Sequence, residues 1–489
     1  MKLSTLLNSI PYIRIVGDAE AEVTGICTDS RKARGGDLFV CYAGERADSH
    51  VYAAEACQKG ACAVVCQREL DVPVPQAIVA DGRAAVAPLA RAFYGYADKK
   101  LKIVAVTGTN GKTTTTYMLR SIFAENGNRT GIIGTLGIFY GDTFIAPELT
   151  TPDPVFLHGV FADMAACGVE YVFMEVSAHA LYFGKTAGLN FDAAIFTNLT
   201  RDHLDFFKDM QSYARAKCKL FEDGVCKVAV VNSDDELGAQ LARRRGVLSY
   251  GLNNPADTFA IDVVERIDGS DFVINLCDEL YDIRLNMPAV CNVYNALAAA
   301  TCAHALGVDI SVIARGLAGL RGVPGRLERV AEHNGGLIFV DYAHTPDGIE
   351  KVLGGLKRLC TGKLYCLFGC GGNRDSEKRP LMGECAAKYA DFLIVTSDNP
   401  RFEDAYDIIS MIEPGIQKAG KPYVTISDRE MATEYAIDLL DKGDILLVAG
   451  KGGENYQEIM GVKHIYSDVA AIRGILEGLA AGTGGEHGG

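Results

Sequence analysis

The sequence predicts an α/β protein of about three domains, and three observations predict it. The chain has 489 residues, too many for a single hydrophobic core. From Lys99-Lys100 onward, short apolar runs of strand type alternate with helical runs, which implies parallel sheets covered on both faces. A further series of the same kind opens after Val323-Pro324-Gly325. The expected domains are therefore 1–98, 99–323 and 324–479, with 480–489 as a Gly-rich flexible tail.

In the first segment, residues 37–41 read as a strand and 53–59 as a helix ending at Gly60. The central segment opens with a strand over 101–106 and a Gly-containing turn. A helix follows with Met118, Leu119, Ile122 and Phe123 on one face, closed by Gly127. Residues 171–176, 193–197 and 228–232 read as further buried strands. In the third segment the strands are expected at 337–340, 364–368, 392–396 and 445–449. Residues just past such strand ends are the expected ligand positions in an open α/β sheet.

A net charge of −14 at pH 7 argues against a general nucleic-acid binder, which needs a basic face. Any anionic substrate must be held by local cations and helix N-termini. The 15 cysteines are scattered, and Cys62/Cys66 and Cys366/Cys370 lack the two-residue spacing of zinc sites. Reduced cytosolic thiols are the expectation. The first 16 residues hold no signal-peptide core and no apolar run reaches membrane-spanning length. The sequence thus predicts a cytoplasmic protein without membrane insertion, and a monomer.

Thr107-Gly108-Thr109-Asn110-Gly111-Lys112-Thr113-Thr114 lies between the first central strand and its helix. Gly108 and Gly111 let backbone N–H groups crowd around phosphate oxygens, and the helix N-terminus adds positive potential. Lys112 suits the outer phosphates and the Thr113 hydroxyl suits Mg2+. Val106 stands where a standard phosphate loop has its first glycine; the strand–loop–helix context favours nucleotide binding over a chance Gly-rich turn. Glu175, in Met174-Glu175-Val176-Ser177-Ala178-His179, is either a Mg2+ ligand at a strand end or a surface charge. His203, among acids in Asn198-Leu199-Thr200-Arg201-Asp202-His203-Leu204-Asp205, is either a ligand or a structural residue. Lys217 has Tyr213, Leu220 and Phe221 at helical spacing. It either snorkels outward or is desolvated, which favours a neutral, nucleophilic amine able to take up CO2 as a carbamate.

Taken together these residues resemble the Mur ligases. The phosphate loop, Glu-Val-Ser-x-His, Asp-His-Leu-Asp and Tyr-x-x-x-Lys recur in order. Asn292-Val293-Tyr294-Asn295, Gly325-Arg326-Leu327-Glu328 and Asp341-Tyr342-Ala343-His344-Thr345-Pro346 extend the match, from about Thr28 to Gln457. The resemblance implies a small N-terminal uridine-binding α/β domain, a central P-loop-type parallel-sheet ATPase domain and a C-terminal Rossmann-like domain that takes the amino acid. Thr28-Asp29-Ser30-Arg31, Thr150-Thr151-Pro152-Asp153 and Asp398-Asn399-Pro400-Arg401 resemble members that add meso-diaminopimelate, rather than L-lysine, to UDP-N-acetylmuramoyl-L-alanyl-D-glutamate in peptidoglycan synthesis. A sibling ligase adding lysine or glutamate, a phosphate-loop kinase and a nucleotide-binding switch are the rival readings.

The resemblance implies that Ser30 contacts the uridine end and that Thr150, Thr151, Ser177 and Lys185 hold the sugar-peptide. It places Gly108, Thr109, Asn110, Gly111, Lys112, Thr113, Thr114, Asn292, Asn295, Arg326, Asp341 and His344 around ATP. Thr113, Glu175, His203 and carbamylated Lys217 would serve Mg2+, and Lys112, Glu175, His203 and Lys217 the chemistry. Arg374, Asp398, Asn399, Pro400, Arg401, Gly450 and Glu454 match the amino-acid pocket. With lysine bound, Arg374 and Arg401 are expected to be left as unpaired charges. Phe183 and Lys185 stand where many relatives have a polar residue and an arginine. Cys291 replaces a Phe, Gly453 replaces a His, and Glu45-Arg46 departs from the uridine-site sequence of some relatives.

Overall fold

The structure is a computed structural model that describes residues 1–44 and 47–483; Glu45, Arg46 and residues 484–489 lie outside the described residues. The helix Asp468–Thr483 takes in the first residues of the expected tail. The chain groups into two compact units. One holds Met1–Thr107, Gly127–Ala194 and Ala216–Lys227; the other holds Gly108–Asn126, Ile195–Arg215 and the chain from Val228 onward.

In the first unit a five-stranded sheet has the order Arg14–Val16, Gln76–Ile78, Ala63–Cys66, Asp37–Val40, Gly25–Cys27. Its first pair is antiparallel and the rest are parallel. Leu38, Val40, Ala63 and Val65 pack on one face with Leu3, Leu7 and Leu89. Phe39, Cys41, Val64 and Cys66 pack on the other, the period of two expected for a strand buried on both sides. The helix Gly82–Phe93 is N-capped by Asp81, whose carboxylate accepts from the Ala84 N–H.

The same unit carries the parallel strands Lys102–Thr107, Tyr171–Glu175 and Thr130–Gly134. Their register sets Glu175 opposite Val106, at the end of the strand that leads into the phosphate loop.

In the second unit the helices Val290–Ala305 and Ile310–Gly319 pack on Lys112–Glu125; the Ser121 hydroxyl donates to the Gly316 carbonyl at 2.6 Å. A six-stranded sheet runs Glu328–His333, Gly336–Asp341, Ile445–Ala449, Leu364–Phe368, Phe392–Val395, Tyr423–Thr425. Only its first pair is antiparallel, so the strand ends near 341, 368, 395 and 449 share one edge. Arg429 and Asp468, 2% and 0% exposed, pair at 2.7 Å behind that edge. Arg429 also donates to the carbonyls of Ser397 and Ala449.

The parallel strands expected in the central segment are joined by antiparallel ones that the sequence did not point to. Strands Gly137–Tyr140 and Thr143–Ile145 pair antiparallel, as do Thr258–Arg266, Gly269–Leu276 and Glu279–Leu285. Gly269–Leu276 alternates buried with half-buried positions, the mark of a sheet with one wetter face. Its turn to Glu279–Leu285 places Cys277 and Asp278 at φ +50° and +72°, the left-handed pair that closes a tight hairpin. The stretch around Lys217, read as helical from its spacing, is α-helical for Met210–Cys218 and tightens to a 3-10 turn at Lys219–Phe221. Among the described residues no helix is long and apolar enough to cross a membrane, and the cysteines are free.

His158, on the helix Pro154–Ala166, is 1% exposed, and its Nε2 has no hydrogen-bond partner. Burial is the largest influence and pushes the imidazole down to about 4; Asp98 opposes this and Arg91 adds to it. The unfolded chain therefore takes up a proton near pH 6.5, which the folded chain resists until about pH 4. Stability falls across that window as the pH drops, by about 3 kcal/mol in all. His158→Leu should remove this part of the acid sensitivity. In urea titrations between pH 7 and 4.5, the unfolding midpoint of the variant should fall by distinctly less than that of the wild type; equal slopes would refute the assignment.

Candidate active site

The strand Lys102–Thr107 enters the phosphate loop, and the helix Lys112–Glu125 leaves it. Gly108 and Gly111 adopt φ +149° and +86°, where side chains are strained. A Cβ on Gly108 would fall on the Thr197 hydroxyl, and one on Gly111 on the Asn295 carboxamide. The segment after the strand Phe191–Phe196 braces the loop from below. The Thr197 hydroxyl donates to the Asn110 carbonyl at 2.6 Å, and the Asn198 side chain accepts from the Asn110 N–H at 2.9 Å. The Lys112 ammonium folds over the loop, donating to the carbonyls of Gly108 and Thr109 at 3.0 and 2.9 Å. Thr113 and Thr114 are buried at the helix start.

Around this loop the second unit gathers most of the residues expected near ATP. Arg326 donates to the Thr113 hydroxyl at 3.0 Å and lies over the Tyr342 ring, 4.2 Å from its centroid. Asp341 is buried, and burial outweighs its favourable contacts and raises its pKa. Its oxygens accept the N–H groups of Leu327 and Ala343, so it ties the Arg326 segment to the His344 segment. Asn295 donates to the Asn292 carboxamide at 3.3 Å, and Asn110 donates to Asp347 at 2.9 Å. Asp202 sits 3.3 Å from His203 Nε2 and 3.7 Å from His344 Nε2. Burial alone would raise Asp202, but the His344 hydrogen bond and the charges of His203, His344 and Lys378 hold it far below the carboxylate range.

In the first unit, Glu175 is 1% exposed, which removes the surface-charge alternative. Its oxygens accept the Thr135 N–H at 2.9 Å and the Thr135 hydroxyl at 3.0 Å. Thr135 also meets the Thr150 hydroxyl at 3.1 Å. Thr151 donates to the Glu175 carbonyl and accepts the Ser177 N–H. Glu175, Thr150, Thr151 and Ser177 therefore form one network. Lys185 pairs with Asp153 at 2.7 Å, and Ser30 donates to Glu55 at 3.0 Å. Lys217 is 1% exposed, so the snorkelling alternative does not hold.

At the C-terminal sheet edge, Asp398 and Asn399 are buried. Arg401 has φ +53°, a strained value for a side-chain-bearing residue. The hairpin Tyr456–Ile459/Val462–Ile465 holds it there: Arg401 N–H donates to the Glu458 carbonyl, and Met460 N–H donates to the Arg401 carbonyl. The guanidinium donates Nε to Glu458 at 3.1 Å and Nη1 to the Gly372 carbonyl at 2.8 Å. The expectation that Arg401 is an unpaired charge without a substrate carboxylate is thus corrected, because Glu458 balances it. Arg374 is half-exposed, 4.0 Å from Asp205. Gly450 has a φ of +114°, and a Cβ there would meet the Asp398 carboxylate. Glu454 accepts from Asn399 at 3.0 Å.

Comparison with known proteins follows this layout. The Mur ligase family catalytic domain matches residues 22–94, the Mur ligase middle domain 106–303 and the Mur ligase glutamate ligase domain 325–452. A UDP-N-acetylmuramoyl-L-alanyl-D-glutamate–2,6-diaminopimelate ligase of Caldanaerobacter subterraneus subsp. tengcongensis is 42% identical over 476 residues, 96% of this chain and 98% of the relative. The chain belongs to the Mur ligase family. A ligase of the same name from Geobacillus kaustophilus is 40% identical over 486 residues, 98% of this chain and 99% of the relative. The solved structure of a ligase of that name matches with a TM-score of 0.70 at 33% identity, over 98% of this chain and 100% of the other.

In this Mur ligase, residues that the sequence did not single out also contact the expected site residues. Asn198 and Thr197 brace the loop, Thr135 holds Glu175, Tyr342 carries Arg326, and Lys451 lies buried beside Glu454. Asn198 and Tyr342 stood inside quoted motifs, so position past a strand end was the available signal. Thr135 and Lys451 had none beyond that. Gly111→Ala should destabilise the fold by about 1–3 kcal/mol, through a strained φ and the clash with Asn295. Calorimetry should show a lower Tm; an unchanged Tm would mean the helix start can shift freely.

Proposed function

We propose that this chain is an ATP-dependent ligase that joins meso-diaminopimelate to the D-Glu γ-carboxylate of UDP-N-acetylmuramoyl-L-alanyl-D-glutamate, in cytoplasmic peptidoglycan precursor synthesis. The observation that carries the amino-acid assignment is the strand-end pocket of Asp398, Asn399, Pro400 and Arg401 with Gly450, Glu454 and Arg374. The Glu458 and Gly372 contacts engage Nε and Nη1, and in this reading the Nη2 side of the fork turns to the substrate carboxylate. Glu454 suits the neighbouring ammonium. Relatives at 40–42% identity that bear the name of this activity support the reading.

In this reading Ser30, Thr150, Thr151, Ser177 and Lys185 hold the UDP-sugar-peptide. Residues 108–114, Asn292, Asn295, Arg326, Asp341 and His344 hold ATP. The D-Glu carboxylate oxygen attacks the γ-phosphorus and ADP leaves, giving an acyl phosphate. The diaminopimelate amine then attacks the carbonyl carbon, the C–O bond to phosphate breaks, and the nitrogen loses a proton. Lys112 neutralises charge on the transferring group, and the loop N–H groups orient it. Contacts of Arg326 with Thr113 and of Asn110 with Asp347 close the C-terminal sheet edge onto the loop, which keeps water from the acyl phosphate.

In this reading Thr113 and Glu175 would each supply an oxygen donor to Mg2+, which takes few protein ligands and the rest from phosphate and water; when bound it offsets phosphate charge. His203 and a carbamate on Lys217 would serve a second ion. For that carbamate, the neutral Lys217 amine adds to CO2, forming an N–C bond and releasing a proton.

Two measurements test this. Wild-type kcat/KM for meso-diaminopimelate should exceed that for L-lysine by about a hundredfold. That is below the roughly ten-thousandfold of a site left with an unpaired charge, because Glu458 already balances Arg401. Arg401→Ala should lose about a hundredfold on diaminopimelate; equal use of both amino acids by the wild type would sink the assignment. Lys217→Ala should lose most turnover, and short carboxylic acids should restore part of it. Mass spectrometry of the native protein in bicarbonate, showing no added CO2 on Lys217, would overturn the carbamate.

A further inference from the structure

Lys451 is 0% exposed and takes no part in the reaction above. Its ammonium donates to Asn399 Oδ1 at 3.0 Å and lies 3.5 Å from Glu454 Oε2 and 3.8 Å from Asp398 Oδ1. The Tyr456 ring lies under it, 5.7 Å from its centroid. A buried ammonium is retained only where partners offset its desolvation, and here the partners are three pocket residues.

The contacts of Asn399 show what this arrangement does. Its Oδ1 accepts from both Lys451 and the Glu458 N–H, at 3.0 and 2.9 Å. With both acceptor positions used, the carboxamide cannot flip. Its Nδ2 then points at Glu454 Oε2, 3.0 Å away. Without the ammonium, Asp398 and Glu454 would face each other as like charges, and Asn399 would have an oxygen with one partner fewer.

We propose that Lys451 is a positioning residue for amino-acid recognition: through Asn399 and Glu454 it holds the pocket that receives the incoming amine substrate. This rests on the functional reading above. Lys451 acts through its neighbours, so the loss should be confined to the amino-acid step.

The test uses the full-length enzyme. In Lys451→Met, KM for the amino acid should rise about thirtyfold, the worth of a hydrogen bond to a charged group. KM for ATP and for the UDP-peptide should stay within about threefold of wild type. Positional isotope exchange in ATP, measured without amine, reports acyl-phosphate formation alone and should persist. Lys451→Arg, which keeps the charge, should recover part of the loss. Should the methionine variant not fold, Lys451→Gln keeps a donor for Asn399 and should raise KM about tenfold. An amino-acid KM within threefold of wild type overturns the proposal, as does a parallel rise in all three KM values. The measurements use whichever amino acid the wild type accepts. Rejection of diaminopimelate by the wild type would therefore undo the functional reading and still leave the role of Lys451 decided.

Discussion

At Gly108 and Gly111 the phosphate loop has no room for a side chain, because Thr197 and Asn295 already fill the volume that a Cβ would need. The rest of the nucleotide end depends on this close approach. It lets the segment after Phe191–Phe196 bond to the loop backbone through Thr197 and Asn198. It also sets the start of the helix Lys112–Glu125 beside the helix Val290–Ala305, so that Thr115 and Asn295 meet at 3.5 Å. Arg326 reaches Thr113 only because that start is fixed.

The C-terminal edge follows a different rule. Its loops are held by buried charge: Arg429 with Asp468, Arg379 with Glu403, and Lys451 with Asn399 and Glu454. Buried ion pairs add little net stability, because desolvation offsets their attraction, but removing one partner leaves a costly charge behind. Such pairs suit a pocket in which oxygens and nitrogens must face fixed directions. Arg401 shows this, with a left-handed backbone stabilised by the hairpin and a guanidinium already balanced by Glu458. Its specificity is therefore one of shape and direction as well as charge.

Much of this was legible in the chain. The parallel strands, the phosphate loop and the strand-end positions of Glu175, Asp341, Asp398 and Gly450 follow from apolar runs of strand length and the residues just after them. The antiparallel strands over Thr258–Leu285 were not read, since their half-wet alternation is weaker than a continuous apolar run and their turn uses Cys277 and Asp278 in place of Asn-Gly. The burial of Lys217 stayed open at the level of sequence, because the same helical spacing serves a snorkelling lysine.

By itself, the sequence determined which chemistry-bearing residues lie at strand ends, since strand length and side-chain alternation are local properties. Tertiary structure alone decided which of them share partners. Glu175 with Thr135, Asp202 with His344, Arg401 with Glu458 and Asn399 with Lys451 are pairings between distant segments. Their existence depends on sheet order, register and burial, which no local pattern encodes.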